Sequence, residues 1–313
     1  MPTQEWPRLP YEAWRDTRHT LHMYTQILGK VRLALSPAEL QWAHVALYLT
    51  ARGLTTSAVP TGAHTFDAEF DLVDHELLMR TSQGGREVIP LRPQAVADFY
   101  HNVVDALVRL GVDVQISDTP SEVPDPIPFP DDRTHNSYDP EWANRFFQVL
   151  SRVDTILKEH RARFLGRSSP VHFFWGTFDL ALTRFSGHPA TPPPEAGIIY
   201  RRGADAEQIC AGFWPGDDRF PQPAFFAYLY PSDDGFRNAP VQPHEGGWNE
   251  QLSEFILQYD AARSAADPER TIRSFLESTY EACATVGHWD ADLIPEGEPW
   301  LGTPAPTSTR SPT

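Results

Sequence analysis

The spacing of hydrophobic positions switches from helical to strand-like and back, and it does so twice along the chain. In "WRDTRHTLHMYTQILGKVRLAL" the positions Trp14, Leu21, Tyr24, Leu28, Val31 and Leu35 form one stripe, which predicts an amphipathic helix. "HVALYLTARGLTTSAV", "TFDAEFDLV", "ELLMRT" and "REVIPL" follow, separated by turn formers, and predict strands. "PQAVADFYHNVVDALVRLG" returns to helical spacing, with proline at its start and Gly111 at its end. The order then resumes. "PEWANRFFQVLSRVDTILKEH" predicts a helix, and the stretch 169–187, "GIIYRR", "EQICAGFW" and "AFFAYLYP" predict strands. "NEQLSEFILQYDAARSAA" and "PERTIRSFLESTYEACATVG" predict the closing helices.

The two passages align at both ends. Val96, Phe99, Ala106 and Gly111 match Ile272, Phe275, Ala282 and Gly287 without a gap, and "QILGKVRLAL" from Gln26 matches "QVLSRVDTIL" from Gln148. The expected fold class is therefore α+β: two similar α-β-β-β-β-α halves whose antiparallel sheets pack around a shared interface. The halves are read as residues 1–117 and 141–301. Residues 118–140, "DTPSEVPDPIPFPDDRTHNSYDP", are a proline-rich connector, since proline removes backbone donors and restrains its neighbours. Residues 302–313 hold no apolar anchor and are read as a disordered tail. A site is expected where the halves meet.

Candidate chemistry concentrates in "SPVHFFWGTFDLALTRFSG", residues 169–187, an apolar stretch that also carries His172, Asp179 and Arg184. Nineteen residues of strand would span roughly 60 Å against a usual ~17–20 Å, so a bend is expected, at Gly176. A regular strand would set His172 beside Arg184; a bulge at Gly176 would set it beside Thr177, Asp179 and Thr183. "HVALYLTARGLTT" offers His44, Tyr48, Thr50 and Arg52 on one face, so a pair between Asp179 and Arg52 or Arg184 is expected. That pair is either a brace between the halves or, with an arginine free to grip an anion, part of a pocket.

The charge balance narrows the partners. With 42 acidic and 26 basic residues the net charge is −16, which disfavours nucleic acid and anionic membranes. No apolar run approaches the roughly 20 residues of a spanning helix, and "MPTQEWPRLPYEAW" lacks the features of a leader. Two isolated cysteines, Cys210 and Cys283, suit free thiols in a cytoplasmic setting. No metal site is expected; His19 and His22, one helical turn apart, are the weak candidates. No nucleotide-binding loop or nucleophile elbow is present, and no motif specifies a cofactor or an oligomeric state.

The block from Ser169 to Gly187, with "TQILGKVRLAL", "TARGLTT", "PIPF", "AGFWPG" and "FFAYLYP", resembles an uncharacterised bacterial family marked by SPVHFFWG[ST]FDLAxTRFSG. Thr177, His188 and Ala206 stand where that pattern has serine, arginine and histidine. The resemblance brings no established activity. The residues themselves lead to a small-molecule enzyme using general acid–base chemistry between the halves. His172 is the expected base, Asp179 its partner or a second carboxylate, and Arg184 or Arg52 the anion clamp. His44, Tyr48, Arg52, Trp175, Trp214 and Tyr228 are the expected ligand contacts. The alternatives are a non-catalytic binder of an aromatic or lipid-like molecule, and a protein–protein adaptor with an apolar patch at Trp214 or Trp248.

Overall fold

The stripe beginning at Trp14 becomes α1 (Tyr11–Leu35), a helix buried on nearly every side. Its polar side chains must therefore find partners inside the protein. A computed structural model describes residues 5–62 and 64–294. After α1 come β1 (Tyr48–Leu49), β2 (Gly53–Thr55), β3 (Val59–Pro60), β4 (Thr65–Asp71), β5 (Glu76–Thr81), β6 (Arg86–Pro90) and α2 (Val96–Arg109). The second passage runs α3 (Pro140–Ala162), β7 (His172–Phe174), β8 (Asp179–Pro189), α4 (Ile198–Gly203), β9 (Ala206–Trp214) and β10 (Ala224–Tyr230). It ends with α5 (Asp234–Arg237), β11 (Gly247–Asn249), β12 (Glu254–Gln258), α6 (Tyr259–Ser264) and α7 (Pro268–Val286).

Two antiparallel sheets result, which makes the protein α+β. One has the order β1-β2-β4-β5-β6, with β3 also on β4; the other is β11-β12-β10-β9-β8-β7. They meet edge to edge, where Leu47 and Phe173 exchange two backbone hydrogen bonds of 2.9 Å each. One continuous core runs from Trp6 to Trp289 across both passages, and the matched positions Val96, Phe99, Ile272 and Phe275 are all buried in it. Among the described residues no helix is long and apolar enough to cross a membrane.

Each sheet has six strands where four per half were expected. "HVALYLTARGLTTSAV" breaks into β1, β2 and β3, and Gly53 is required because a Cβ there would run into the Phe70 carbonyl. The stretch 169–187 is not one bent strand. It is a hairpin, with β7 antiparallel to β8 and a turn over Trp175–Phe178 that places Phe178 at φ 64°. "GIIYRR" is helical, as α4. "EFILQ" is strand β12 rather than helix, because Phe255 and Leu257 alternate into the core while Ile256 faces the opposite way. The tail at 302–313 lies outside the described residues.

The 118–140 segment is firmly seated. Gln26 on α1 donates to the Ser121 carbonyl and accepts from the Ser121 N–H, both at 2.8 Å. Thr20 and Thr17 accept from the backbone N–H of Ser137 and Asp139. The N–H groups of Val96 and Ala97, unpaired at the start of α2, donate to the carbonyls of His135 and Asp132. The segment thus closes one end of α2 and lines the flank of α1.

Trp175 joins the hairpin to α1. Its indole N–H donates to the Val45 carbonyl at 2.8 Å, and its ring lies on Gly29 so closely that a Cβ would collide with it. Replacing a helical glycine with alanine ordinarily gains about 1 kcal/mol. Here Gly29→Ala should instead cost about 1–3 kcal/mol, as overpacking does. Urea denaturation of the two proteins decides the sign, and a stabilised variant would refute the seating of Trp175 on α1.

Candidate functional site

Four turns of chain converge on a cavity of about 390 Å³. α1 contributes Arg18, His19, His22 and Met23; the 118–140 segment contributes Glu122 and His135; the hairpin turn contributes Gly176 and Thr177; the loop after β9 contributes Trp214 and Asp217–Arg219. Positions 18, 19, 22 and 23 follow helical spacing, so all four face the same way.

Arg18 is the outlier among the buried polar groups of α1. Lys30 donates to Ser121, Arg32 to the Thr56 carbonyl and Ser57, and His22 to the carbonyls of Trp175 (2.9 Å) and Gly176 (3.0 Å). Arg18 is as buried as these, yet no carboxylate lies within ion-pair distance among the described residues. Its contact is the Phe178 ring, 5.2 Å from the guanidinium carbon, and its Nε has no hydrogen-bond partner. Burial pushes its pKa down, against the opposing pull of Tyr11, Asp217 and Asp218.

Opposite the helix, "DDRTH" folds around Asp132. The Asp132 carboxylate is fully buried and accepts from the backbone N–H of Thr134 and His135 through one oxygen. Through the other it accepts from the His135 ring at 2.7 Å. Burial acts to raise this carboxyl, but the hydrogen bonds from His135 and Thr134 outweigh it and the net shift is downward. The other ring nitrogen of His135 makes no bond to Asp132. His19 donates to the Tyr11 hydroxyl at 3.0 Å, which in turn donates to Asp218 at 2.8 Å. Burial, then Arg18, lowers the pKa of His19.

Behind the turn lies a row of acids. The Glu122 carboxylate sits over Gly176, where a Cβ would obstruct it, and burial raises its pKa. Asp179 is 8% exposed and accepts from the Thr177 hydroxyl. Burial pushes it up to about 7, opposed by Thr177 and assisted by Glu122. Cross-strand register places Thr183, Cys210, Tyr228 and Glu254 in one line on the same sheet face. Burial, then Asp179, pushes Glu254 up to about 7 as well.

The expected site residues are therefore divided. His172 shares the sheet face of Asp179, opposite Ala181, which puts the two at a diagonal spacing with no hydrogen bond between them. Its Nε2 is buried without a partner, and burial, then Arg32 and Arg161, lowers its pKa to about 4. Tyr48 packs edge-on against His172 at 5.5 Å, and His44 accepts from the Glu39 N–H and stacks on Trp42. Tyr228 is on the Asp179 face, Trp214 lines the cavity, and Trp175 is a structural pin. No arginine pairs with Asp179 among the described residues: Arg52 pairs with Asp71 and Asp74 at the surface. Arg184 points to the opposite face of the sheet, donating to the His160 carbonyl.

His22 is committed to the hairpin, and among the described residues no three His, Cys, Asp or Glu are grouped to hold a metal ion. Trp214 and Trp248 are half-buried against Phe220 and Phe255; the exposed large apolar side chains lie elsewhere, at Leu40, Val108 and Ile198–Tyr200 among others. Sequence reasoning missed Arg18, Glu122, Asp132 and His135. The usable signals were an arginine and a histidine at helical spacing, Arg18 and His22, and an Asp-x-x-His step inside a segment read as a spacer.

These features define an α+β protein of two six-stranded sheets with a polar, histidine-lined cavity between the two passages. The chain belongs to DUF5996, a family of unknown function whose model matches residues 6–295, in keeping with the resemblance carried by the 169–187 block. No curated protein and no solved structure matches it.

The raised carboxyl of Asp179 makes stability depend on pH. An aspartate titrates at about 3.9 in an unfolded chain, so between that value and about 7 the folded state holds the extra proton. Its contribution is full at low pH and is lost as pH rises through 7. Asp179→Asn keeps the acceptor for Thr177 and should be about 4 kcal/mol more stable than the parent at pH 8, with little difference at pH 4. Denaturation midpoints across that range test this; parallel profiles would contradict it. A slope from Glu254, of the same sign, should persist in the variant.

Proposed function

We propose that the chain is a small-molecule enzyme working by general acid–base chemistry in the cavity beside α1. Its substrate carries an anionic group. The observation that supports this most directly is Arg18, a buried cation without an anionic partner that lines the same cavity as an aspartate-oriented histidine. A carboxylate or phosphate on the substrate would supply the missing partner and be held in a planar fork.

In this reading His135 is the general base. Asp132 holds its tautomer and stabilises the imidazolium that forms when it takes a proton. Glu122, pushed toward the neutral form, faces the cavity as the proton donor, and Asp179 lies behind the turn, hydrogen-bonded to Thr177. Trp214 gives a flat apolar wall, and the Asp217–Arg219 loop forms the mouth. His172 and Tyr228 support the sheet behind the acids and do not meet the substrate. The negative net charge argues against a nucleic-acid substrate, and two buried free thiols, Cys210 and Cys283, fit work in a reducing cytoplasm.

A panel of small carboxylates and phosphates, screened by thermal shift and then assayed for turnover, tests the proposal. Arg18→Met should weaken binding of any hit by about 100-fold, the worth of a buried charged hydrogen-bond pair. His135→Gln should bind with similar affinity but turn over 10²–10⁴-fold more slowly, approximately the contribution of a positioned base. Hits that bind both variants as well as the parent would refute the site. Binding lost in Arg18→Met without any turnover in the parent would make it a binding protein instead.

A further inference from the structure

We propose that Arg184 forms a second site, separate from the cavity beside α1, that takes a small anion such as a halide or a compact oxyanion. The residue lies on the helix-covered face of β8, between α3 and α7, and is 2% exposed. Its guanidinium carbon is 4.9 Å from the centre of the Phe164 ring and 4.7 Å from that of Tyr280. Nη2 donates to the His160 carbonyl, while Nε and Nη1 are buried with no hydrogen-bond partner. No carboxylate comes within ion-pair distance among the described residues.

The Arg184 side chain lines a void. A cavity of about 80 Å³ is lined by His160, Arg163, Arg184, Glu277, Tyr280 and Glu281, with Ile294 at its side. A water molecule's share of liquid volume is about 30 Å³, so this space admits a group of a few heavy atoms and nothing as large as a metabolite ring. The acids at the cavity are not Arg184's counter-charge. Glu277 is engaged by Arg163 at 2.5 Å, with both side chains half in solvent, and Glu281 makes no ion pair with Arg184. His160 is sealed in the core and pushed well below its usual value, by burial first and then by Arg184, so it carries no competing charge at neutral pH. The burial that lowers Arg184 to about 9 still leaves it charged there.

A buried cation that lines a small void and keeps two donors unpaired is the arrangement that an anion completes. Tyr280 lines the same space, and Arg163 at its edge holds the charge of Glu277 away from Arg184. The resulting site ties β8 to α3 and α7 and involves no residue of the α1 cavity, so its occupancy should alter stability rather than substrate binding.

The test uses the whole chain at constant ionic strength, with chloride, bromide, nitrate or formate exchanged against gluconate, which is too large to enter. The small anions should raise the melting temperature saturably with gluconate as the inert reference, and crystals soaked in bromide should show anomalous density beside Arg184. Glu281→Gln, which removes a negative charge from the lining, should tighten the apparent affinity several-fold. The comparison is made in an Arg18→Met background, which removes the anion clamp proposed for the α1 cavity; there Arg184→Met should abolish the response. Equal melting temperatures in chloride and gluconate would overturn the proposal. So would bromide density confined to the surface, or an anion response that survives Arg184→Met.

Discussion

The hairpin turn at Trp175–Phe178 is the constraint on which the rest of the molecule depends. It is bound on three sides by different parts of the chain. His22 on α1 donates to its carbonyls, Val45 accepts from the Trp175 indole, and Phe178 stacks on Phe146 of α3. The two carbonyls share a single imidazole N–H and favour a charged ring, but the deep burial of His22 outweighs them and keeps it neutral. With the turn held there, Phe173 reaches Leu47 and the sheets join edge to edge. The same turn presents Gly176 and Thr177 to the cavity, so the joint between the sheets and the wall of the site are one object.

Buried charge is spent unevenly around that joint. Most buried polar groups on α1 are matched by a carbonyl or hydroxyl on another segment, as in Gln26, Lys30 and Arg32. Arg18, Arg184 and Asp179 are not matched by an opposite charge, and each sits next to a cavity or to a group lining one. Desolvating an ion without a counter-ion costs several kcal/mol, far more than a solvent-exposed arginine would. Unmatched charges of this kind suit places where a ligand or a proton supplies the balance. For Asp179 the balance is a proton, since burial and then Glu122 oppose its ionisation; for the arginines it is the anion proposed above.

α1, α2, α3 and α7 and strands β4, β5, β9 and β10 were legible in the sequence: α2, α3, α7, β4 and β5 bury one consistent face, while α1, β9 and β10, buried on both, still read as an apolar stripe or run bounded by turn formers. β12 was misread as helix, since five residues rich in Phe, Ile and Leu fit either period and only the partner strand β10 decides between them. The hairpin in 169–187 was misread for a related reason. No glycine–asparagine or glycine–aspartate pair marks its turn; the turn is held by His22 and Val45, more than a hundred residues away. The apolar richness of that stretch did point to the right sheet, and His172, Asp179 and Thr183 do share a face. The pairing of Asp179 with an arginine failed because strand alternation sends Arg184 through the sheet, while Asp71 and Asp74 lie nearer to Arg52.

The cavity was the least legible part, and the reason lies in the proline-rich segment. Proline makes a stretch unfit for helix or strand, but it also lowers the entropy lost when that stretch is ordered, so a proline-rich strap can be a rigid wall. Here the strap is ordered by Gln26, Thr20 and Thr17, whose hydroxyl and amide groups replace the missing ladder. Once seated, it caps α2 with the carbonyls of Asp132 and His135, and those two residues are then oriented by the helix they cap. The histidine that faces Arg18 across the cavity is thus positioned by secondary structure on both sides. A segment that belongs to neither sheet supplies the geometry that the sheets alone lack.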